Sequence, residues 1–277
     1  MQSSRHKCFI GIDQTGAVLP GGAAKPLPVT CIRQESSRLT AYINRSVRGL
    51  YPDAFADLVP CDHMEQSFIL VDSVLGIPAS GTTRTKLRTL FRQAAQYSLD
   101  GKGYGAAVAH KFFHEHVLAP SWKQKHVYPM RQAEASAGAN SIFRLQPFQR
   151  NIGCGTFRTW KDLDVDQSWY RLWPFEAPQH RKAIIAEGYP SLLWKYWVQA
   201  KRGDQKALVS FARLQRVRID DDGQKGFLSV DHMDSFVLAL YAACVPNALD
   251  IKTLPAAAHS KEGWIVGLDL VSNERIG

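Results

Sequence analysis

Acidic side chains recur at the ends of hydrophobic segments along this 277-residue chain. Asp13 and Asp72 each follow a short apolar run, and Glu187 follows a third one. Asp231 and Asp234 lie three residues apart where a helical pattern begins, so they share one helix face. Ligands of open α/β sheets bind outside the strand ends, where acids from separate segments can converge. These acids are therefore candidates for a single site.

Converging carboxylates need a counter-charge, because like charges a few ångströms apart raise each other's pKa. A divalent cation is the usual counter-charge in such a cluster. Hard oxygen ligands, with water completing the coordination shell, select Mg²⁺ or Mn²⁺. The set of acids therefore predicts a site for Mg²⁺ or Mn²⁺.

Each acid taken alone has a simpler structural interpretation. Asp13 and Asp72 could hydrogen-bond their own turns as Asx motifs, and Glu187 could leave its strand into solvent. Asp231 and Asp234 could stabilise the positive end of a helix. Only the recurrence of acids in several segments favours the shared site.

The segment before Asp13 predicts a strand in a hairpin or meander. Residues 8–12 form a short β run, residues 17–19 could pair with it, and residues 29–33 follow a Pro-bounded turn. Residues 37–51 instead carry apolar side chains at helical spacing and predict a helix.

A buried central strand is predicted just before Asp72. Residues 68–71 are continuously apolar and stop at this acid, ahead of the turn "SVLGIP". An uninterrupted apolar run is typical of a strand covered on both faces. Such a strand would deliver Asp72 at its end.

Helices, an irregular region and then further regular elements are predicted for the rest of the chain. Residues 83–118 contain two helical patterns, whereas residues 119–182 show no sustained period and predict loops and short strands. A strand is predicted at 182–186, and a helix at 191–200 follows it, with Ser191 as a possible N-cap. A second helix is predicted to begin near residue 204, and a third covers "SVDHMDSFVLALYAA". Without repeats or a low-complexity linker, we expect one domain over 1–277 with a helical and irregular insertion at 80–182.

The charge balance favours an anionic partner. Lys and Arg total 34 against 25 Asp and Glu, which gives a net charge of +9, and nucleic acid is the first candidate partner. Scattered basic residues are also typical of an ordinary solvated surface. The candidate phosphate-binding residues on predicted basic helix faces are Arg84, Arg88, Arg92, Arg213, Arg216 and Arg218.

A cytoplasmic protein is expected from the remaining composition. No apolar run approaches the roughly 18 residues of a membrane span, and the first residues lack the apolar core of a signal peptide. The five cysteines form no C-x-x-C pair and are expected to be reduced. Four tryptophans could stack on bases, although aromatic side chains at helical spacing are typical of a core: Trp169, Trp173, Trp194 and Trp197.

Five motifs resemble, in order, those of an uncharacterised family often numbered 429 among domains of unknown function. They are "FIGIDQTG", "ILVDSVLGIP", "IIAEGYPSLLW", "DHMDSFVLALYAA" and "EGWIVG". The family is a group of predicted nucleases in the RNase H-like superfamily. In this chain Ser73 and Val74 depart from its usual second motif.

The resemblance implies an RNase H-like mixed sheet, with three antiparallel strands followed by parallel ones and with flanking helices. It implies that Asp13 is the central metal ligand and that Asp72 and an acid of the late helix, Asp234 or Asp231, complete the site. Glu187 would lie near them and bind metal or orient water.

Metal-dependent hydrolysis of phosphodiester bonds by a two-metal mechanism is therefore the predicted function. The catalytic candidates are Asp13, Asp72, Glu187 and Asp234, and the metal-ligand candidates are Asp13, Asp72, Asp231 and Asp234. A non-catalytic RNase H-like scaffold that binds nucleic acid or protein is the main alternative. A second alternative is an actin-like nucleotide phosphotransferase, because "GIDQTG" is similar to the first phosphate loop of those enzymes.

Overall fold

The computed structural model describes residues 7–14, 16–20, 22–59, 64–78, 87–118, 128–143, 152–179, 181–221, 226–245, 248–249 and 262–273. Seven strands form a mixed sheet within these ranges. They are β1 (Cys8–Ile12), β2 (Leu27–Glu35), β3 (Arg38–Val47), β4 (Ser67–Val71), β5 (Tyr170–Leu172), β6 (Ala183–Glu187) and β7 (Val217–Asp220).

The strand order is β5-β6-β4-β1-β2-β3-β7. Strands β1, β2 and β3 are antiparallel neighbours, whereas β4 pairs parallel with β1 and β6 pairs parallel with β4. The two outer strands, β5 and β7, are parallel to their neighbours β6 and β3. This α/β sheet has the predicted change from antiparallel to parallel pairing, and it places the carboxyl ends of β1, β4 and β6 at one edge.

The sheet is flanked by helices. They are α1 (Leu87–Gln96), α2 (Ala106–Phe112), α3 (Gln132–Ala137), α4 (Ile152–Asp164), α5 (Pro190–Leu193), α6 (Gln205–Leu214), α7 (Val230–Cys244) and α8 (Asp269–Asn273). Helix α2 continues as a π-helical segment, Phe113–Val117, and α5 continues as another, Trp194–Val198.

Side chains that alternate along the central strands form two hydrophobic cores, one on each face of the sheet. Ile10 and Ile69 belong to the core that contains Phe91 of α1 and Trp160 of α4. Phe9 and Phe68 belong to the opposite core, which contains α7 and Trp194. Because both faces of the sheet are covered, the sequences of the central strands are continuously apolar.

The helix predicted at residues 37–51 is wrong, because Arg38–Val47 is strand β3. Its apolar residues also fit a period of two, and the turn at Ser36 and Ser37 pairs the segment with β2. A bulge in this pairing and the positive φ of Asn44 move Val47 to the core opposite Ile43. Because the apolar residues change from one face of the sheet to the other within β3, their spacing resembles that of a helix.

The prediction of only loops and short strands at 119–182 is wrong in part, because the region contains helices α3 and α4 besides the short strand β5. Nearly all of α4 is buried, so it lacks the polar stripe that marks an amphipathic helix. Its Gly155 is required by packing, since an added Cβ would lie 2.7 Å from the backbone oxygen of Gln14. Gly153 and Gly155 therefore both lie within helix α4.

Smaller differences concern the ends of elements. Residues 17–19 do not pair with β1, although Val18 forms an isolated bridge with Ala24. Tyr189 is the N-cap of α5 in place of Ser191, with Pro190 in the first turn. The helices predicted near 204 and in "SVDHMDSFVLALYAA" are confirmed as α6 and α7.

Candidate functional site

Backbone pairing brings Asp13, Asp72 and Glu187 to the same edge of the sheet. Ile12, Val71 and Glu187 are in register across β1, β4 and β6. Asp72 N–H donates to the Ile12 carbonyl at 2.9 Å, and Asp13 N–H donates to the Pro28 carbonyl at 3.1 Å. These bonds extend the ladder past the strand ends and fix the backbone of both aspartates.

Helix α7 adds Asp234 to this edge. The helix passes so close to β1 that an added Cβ on Gly11 would lie 1.9 Å from the Ser235 carbonyl oxygen. Asp234 is buried, whereas Asp231, one turn earlier, is half-buried. We call Asp13, Asp72, Glu187 and Asp234 at this edge the acid edge.

Asp13 and Asp72 form the centre of the acid edge. Burial, together with the charges of Asp72, Asp234 and Asp231, raises the pKa of Asp13 to about 9. Burial and the charge of Asp234 raise the pKa of Asp72 to about 7, although a hydrogen bond with Asp13 lowers it. At neutral pH Asp13 therefore retains its proton and shares it with Asp72.

Asp234 has its own partners. Its Oδ1 accepts a 2.7 Å hydrogen bond from Trp194 Nε1, and its Oδ2 accepts a 2.8 Å bond from Arg202 Nε. Burial raises the pKa of Asp234, and the bonds from Arg202 and Trp194 oppose that rise. Trp194 is buried, which confirms its core position, and it also orients one acid.

Glu187 belongs to a buried ion-pair network. Arg131 Nη1 and Nη2 donate to its two oxygens at 2.7 and 2.6 Å, and the Leu75 N–H donates to Oε2 at 3.1 Å. The same guanidinium donates from Nε to Glu134 and from Nη1 to the Glu262 carbonyl. The network ties β6, α3 and the turn after β4 together, so both oxygens of Glu187 are engaged.

Arg131 and Arg202 are site residues that sequence reasoning did not find. Arg131 lies in the region predicted to be irregular, and Arg202 lies in the loop between the π-helical segment and α6. No motif or periodicity marks either residue, because each pairs with an acid that is distant in sequence. The charge of the acids was the only available signal that such cations were needed.

The predicted phosphate-binding arginines lie apart from these acids or are already paired. Arg88 donates three hydrogen bonds to Glu176, and its guanidinium stacks on the ring of Tyr170. Arg92 is exposed on α1, and Arg84 lies outside the described residues.

Arg213, Arg216 and Arg218 do not form the predicted helix face. They are exposed on α6, in the following turn and on β7. Since β7 runs parallel to β3, and β3 runs in the same direction as β1, Arg216 lies at the edge opposite Asp13.

A cavity of about 270 Å³ opens beside Asp72. Its polar lining includes Asp72, Ser73, Tyr189 and Arg202, and Arg131 lies in its wall. The acid edge thus borders a space in which a small ligand group could lie.

The oxygen donors of Asp13, Asp72 and Asp234 fit Mg²⁺ or Mn²⁺ in chemical type, since carboxylate oxygens are the ligands that these hard cations prefer. Their present arrangement is not a complete metal cage. In the described part of the chain, no three His, Cys, Asp or Glu side chains are arranged to hold a metal ion. Asp234 faces Arg202 and Glu187 faces Arg131, so Asp13 and Asp72 are the acids without an arginine hydrogen bond.

Comparisons with protein-family models, curated proteins and solved structures gave no significant match to the chain. Among the described residues, no helix has the length and apolar character needed to cross a membrane.

Proposed function

We propose that the chain is a metal-dependent hydrolase of phosphodiester bonds in nucleic acid. The observation that carries the proposal is the convergence of Asp13, Asp72 and Asp234 at one buried sheet edge. Strand pairing holds the first two acids, and the close approach of α7 at Gly11 holds the third. A buried carboxylate cluster of this kind is stable near neutral pH only with protons or cations bound.

Asp13, Asp72 and Asp234 would bind the metal, with Asp13 as the shared central ligand. Bound Mg²⁺ or Mn²⁺ would lower the pKa of the attacking water and stabilise the leaving oxygen. Metal binding requires Asp13 to release its proton, and it requires Asp234 to give up or share its bond with Arg202. Arg202 would then be free to contact a phosphate oxygen of the substrate.

Glu187 is better suited to positioning than to direct ligation. Its ion pair with Arg131 and its bond from the Leu75 N–H anchor the turn that follows Asp72. Asp231, half-buried near the start of α7, adds negative charge close to Asp13 and Asp234. We assign it a secondary role in attracting the cation.

The fold and the charge support this proposal. The strand order, with three antiparallel strands followed by parallel β4 and β6, is compatible with an RNase H-like sheet and with the family resemblance. The net charge of +9 favours a polyanionic substrate. Exposed Arg92, Arg213, Arg216 and Arg218 would add non-specific attraction to its backbone.

Cleavage assays test the proposed function. Purified protein with MgCl₂ or MnCl₂ is incubated with single-stranded, duplex, branched and hybrid DNA and RNA substrates. We expect cleavage of at least one substrate, its loss in EDTA, and at least a hundredfold lower rate for Asp13→Asn, as roughly expected for loss of a catalytic group. The control is Asp57→Asn, an exposed acid in the turn after Pro52–Phe55.

A non-catalytic binding scaffold is the second candidate function. The ion pairs Arg202–Asp234 and Arg131–Glu187 favour it, because they neutralise two of the acids without any metal. Calorimetry with MnCl₂ separates the two candidates. Saturable binding that Asp13→Asn abolishes supports the hydrolase, whereas no saturable binding supports the scaffold.

A further inference from the structure

The cavity beside Asp72 has a mixed polar and apolar lining. Asp72, Ser73 and Arg202 are among its polar residues, together with Glu134, Asn140 and Glu187. Its apolar residues include Val74, Ile142, Ile152, Pro190 and Ile265. A ligand that fills this space needs both a polar or charged group and a less polar body.

Ser73 carries a hydroxyl group that is ready for a ligand. The side chain is buried, yet its Oγ forms no hydrogen bond with any residue that the structure describes. A buried hydroxyl without a partner is unfavourable by about 1–3 kcal/mol, and buried polar groups in folded proteins are rarely left in this state. Since Ser73 lines the cavity, a ligand there can supply the missing hydrogen bond.

The charges in the wall determine where an anionic group would lie. Arg131 is fully buried and already bonded to Glu187 and Glu134, so it has no free capacity for an anion. Arg202 also lines the cavity; its Nε and Nη2 donate to Asp234, but its side chain is 48% exposed and its Nη1 is not engaged by that pair. A phosphate would therefore lie near Arg202.

We propose that this cavity binds the terminal nucleotide of a nucleic acid strand, with its phosphate near Arg202 and its nucleoside against the apolar lining. The inference rests on the proposed function and adds that cleavage occurs at strand ends. The volume is near the lower limit of about 300 Å³ for small-ligand pockets. It is suited to one nucleotide and too small for a duplex.

The inference assigns specific roles to two residues. Ser73 donates a hydrogen bond to a phosphate or ribose oxygen, and the ring of Tyr189, which lines the same space, packs against the nucleoside. Neither role requires a base-specific contact. The cavity is therefore expected to accept different bases with similar affinity.

Calorimetric titration with adenosine 5′-monophosphate in CaCl₂ tests the cavity without requiring cleavage. We expect saturable binding by the wild type, about three- to tenfold weaker binding by Ser73→Ala, as for one hydrogen bond, and no binding by Ala139→Trp, which fills the cavity. The control is Ser67→Ala, a buried serine at the other end of β4. Melting temperatures establish that each variant is folded, and no wild-type binding up to millimolar nucleotide would overturn the inference.

Cleavage of matched linear and circular single strands tests the preference for ends. We expect the linear strand to be shortened and the circle of the same sequence to remain intact. If both are cut at equal rates, the hydrolase proposal stands and the terminal-nucleotide inference is wrong. If neither is cut in any metal, the hydrolase proposal fails, and the calorimetric result still decides whether the cavity binds nucleotide.

Discussion

Asp13 and Asp72 illustrate how burial, together with neighbouring charges, gives two acids different properties. Both follow apolar strands, but Asp13 is surrounded by three other aspartates and retains its proton to about pH 9. Asp72 accepts a hydrogen bond from it and titrates near pH 7. The pair can therefore respond to a cation by releasing a proton within the physiological range.

The metal-free protein is expected to lose stability as the pH rises. The pKa of Asp13 is about 9 in the folded state, whereas an unperturbed aspartate, as in the unfolded state, has a pKa of 3.8. Between these values the folded state holds a proton that the unfolded state has released, so the free energy of unfolding falls with increasing pH. Asp13→Asn removes this pH-dependent loss of stability. It should therefore raise the free energy of unfolding at pH 8 by on the order of 2–4 kcal/mol.

Urea unfolding in EDTA at pH 5 and pH 8 measures the effect. The wild type should be less stable at pH 8, and Asp13→Asn should reduce the difference between the two pH values. Asp57→Asn, which removes an exposed acid, should retain the wild-type dependence. Equal pH dependence in Asp13→Asn and the wild type would contradict the assigned protonation of Asp13.

Arg202 is expected to act as the counter-charge of Asp234 when no metal is bound. Arg202→Gln leaves a buried carboxylate without its cation and should lower the free energy of unfolding in EDTA by about 1–2 kcal/mol. Since a divalent ion can replace the lost charge, MnCl₂ should stabilise Arg202→Gln more than the wild type. Arg213→Gln, at an exposed position on α6, is the matched control.

Thermal melts with and without MnCl₂ give the required comparison. A larger Mn²⁺-dependent rise in Tm for Arg202→Gln than for Arg213→Gln is the expected outcome. An equal rise in both variants would show that Arg202 does not compete with metal at Asp234.

Among the elements, helix α7 depends on one glycine of the neighbouring strand β1. Gly11 allows the backbone of α7 to lie against β1, and this contact places Asp234 at the same edge as Asp13. Gly11→Ala must displace the helix, because its Cβ would meet the Ser235 carbonyl oxygen at 1.9 Å. We expect a loss of about 3 kcal/mol or more in the free energy of unfolding.

Chemical denaturation of Gly11→Ala and Gly103→Ala tests this requirement. Gly103 is a suitable control because the nearest atom to an added Cβ, Lys161 Nζ, lies 3.9 Å away. A Gly11→Ala protein as stable as Gly103→Ala, and with unchanged Mn²⁺ affinity, would refute the close helix contact.

Sequence patterns predicted the elements that carry the acids better than the elements around them. The runs before Asp13 and Asp72 and the stripe of α7 were predictable because each packs against the core along its length. Strand β3 was not predictable, because a bulge moves its apolar side chains to the other face of the sheet midway along the strand. Helix α4 was not predictable, because nearly all of its residues are buried. Arg131 and Arg202 were unpredictable, since their partners are set by tertiary packing.

At the scale of the whole molecule, the exposed arginines of α6 and β7 and the acid edge occupy different places. Arg213, Arg216 and Arg218 lie at or towards the sheet edge opposite Asp13, although the net charge of +9 acts over the whole surface. Long strands could reach both edges, whereas short ones bound at Asp72 could not. Chain length should therefore determine how much these arginines contribute.

Binding of single-stranded oligonucleotides at several salt concentrations tests this separation. The affinity for a 30-nucleotide strand should fall steeply with salt, and the Arg213→Gln, Arg216→Gln, Arg218→Gln triple variant should show a shallower slope, by up to about two units of log K per log salt. A 5-nucleotide strand should bind both proteins equally. If salt leaves the affinity for the long strand unchanged, electrostatic binding of nucleic acid is excluded.

Anomalous diffraction from crystals soaked in MnCl₂ tests metal binding at the acid edge most directly. We predict manganese peaks between the carboxylates of Asp13 and Asp72, with Asp234 turned from Arg202 towards the metal. The same soak of Asp13→Asn crystals should lack these peaks. Wild-type crystals that show manganese elsewhere or not at all, with Asp234 still paired to Arg202, would contradict a metal-dependent site at this edge.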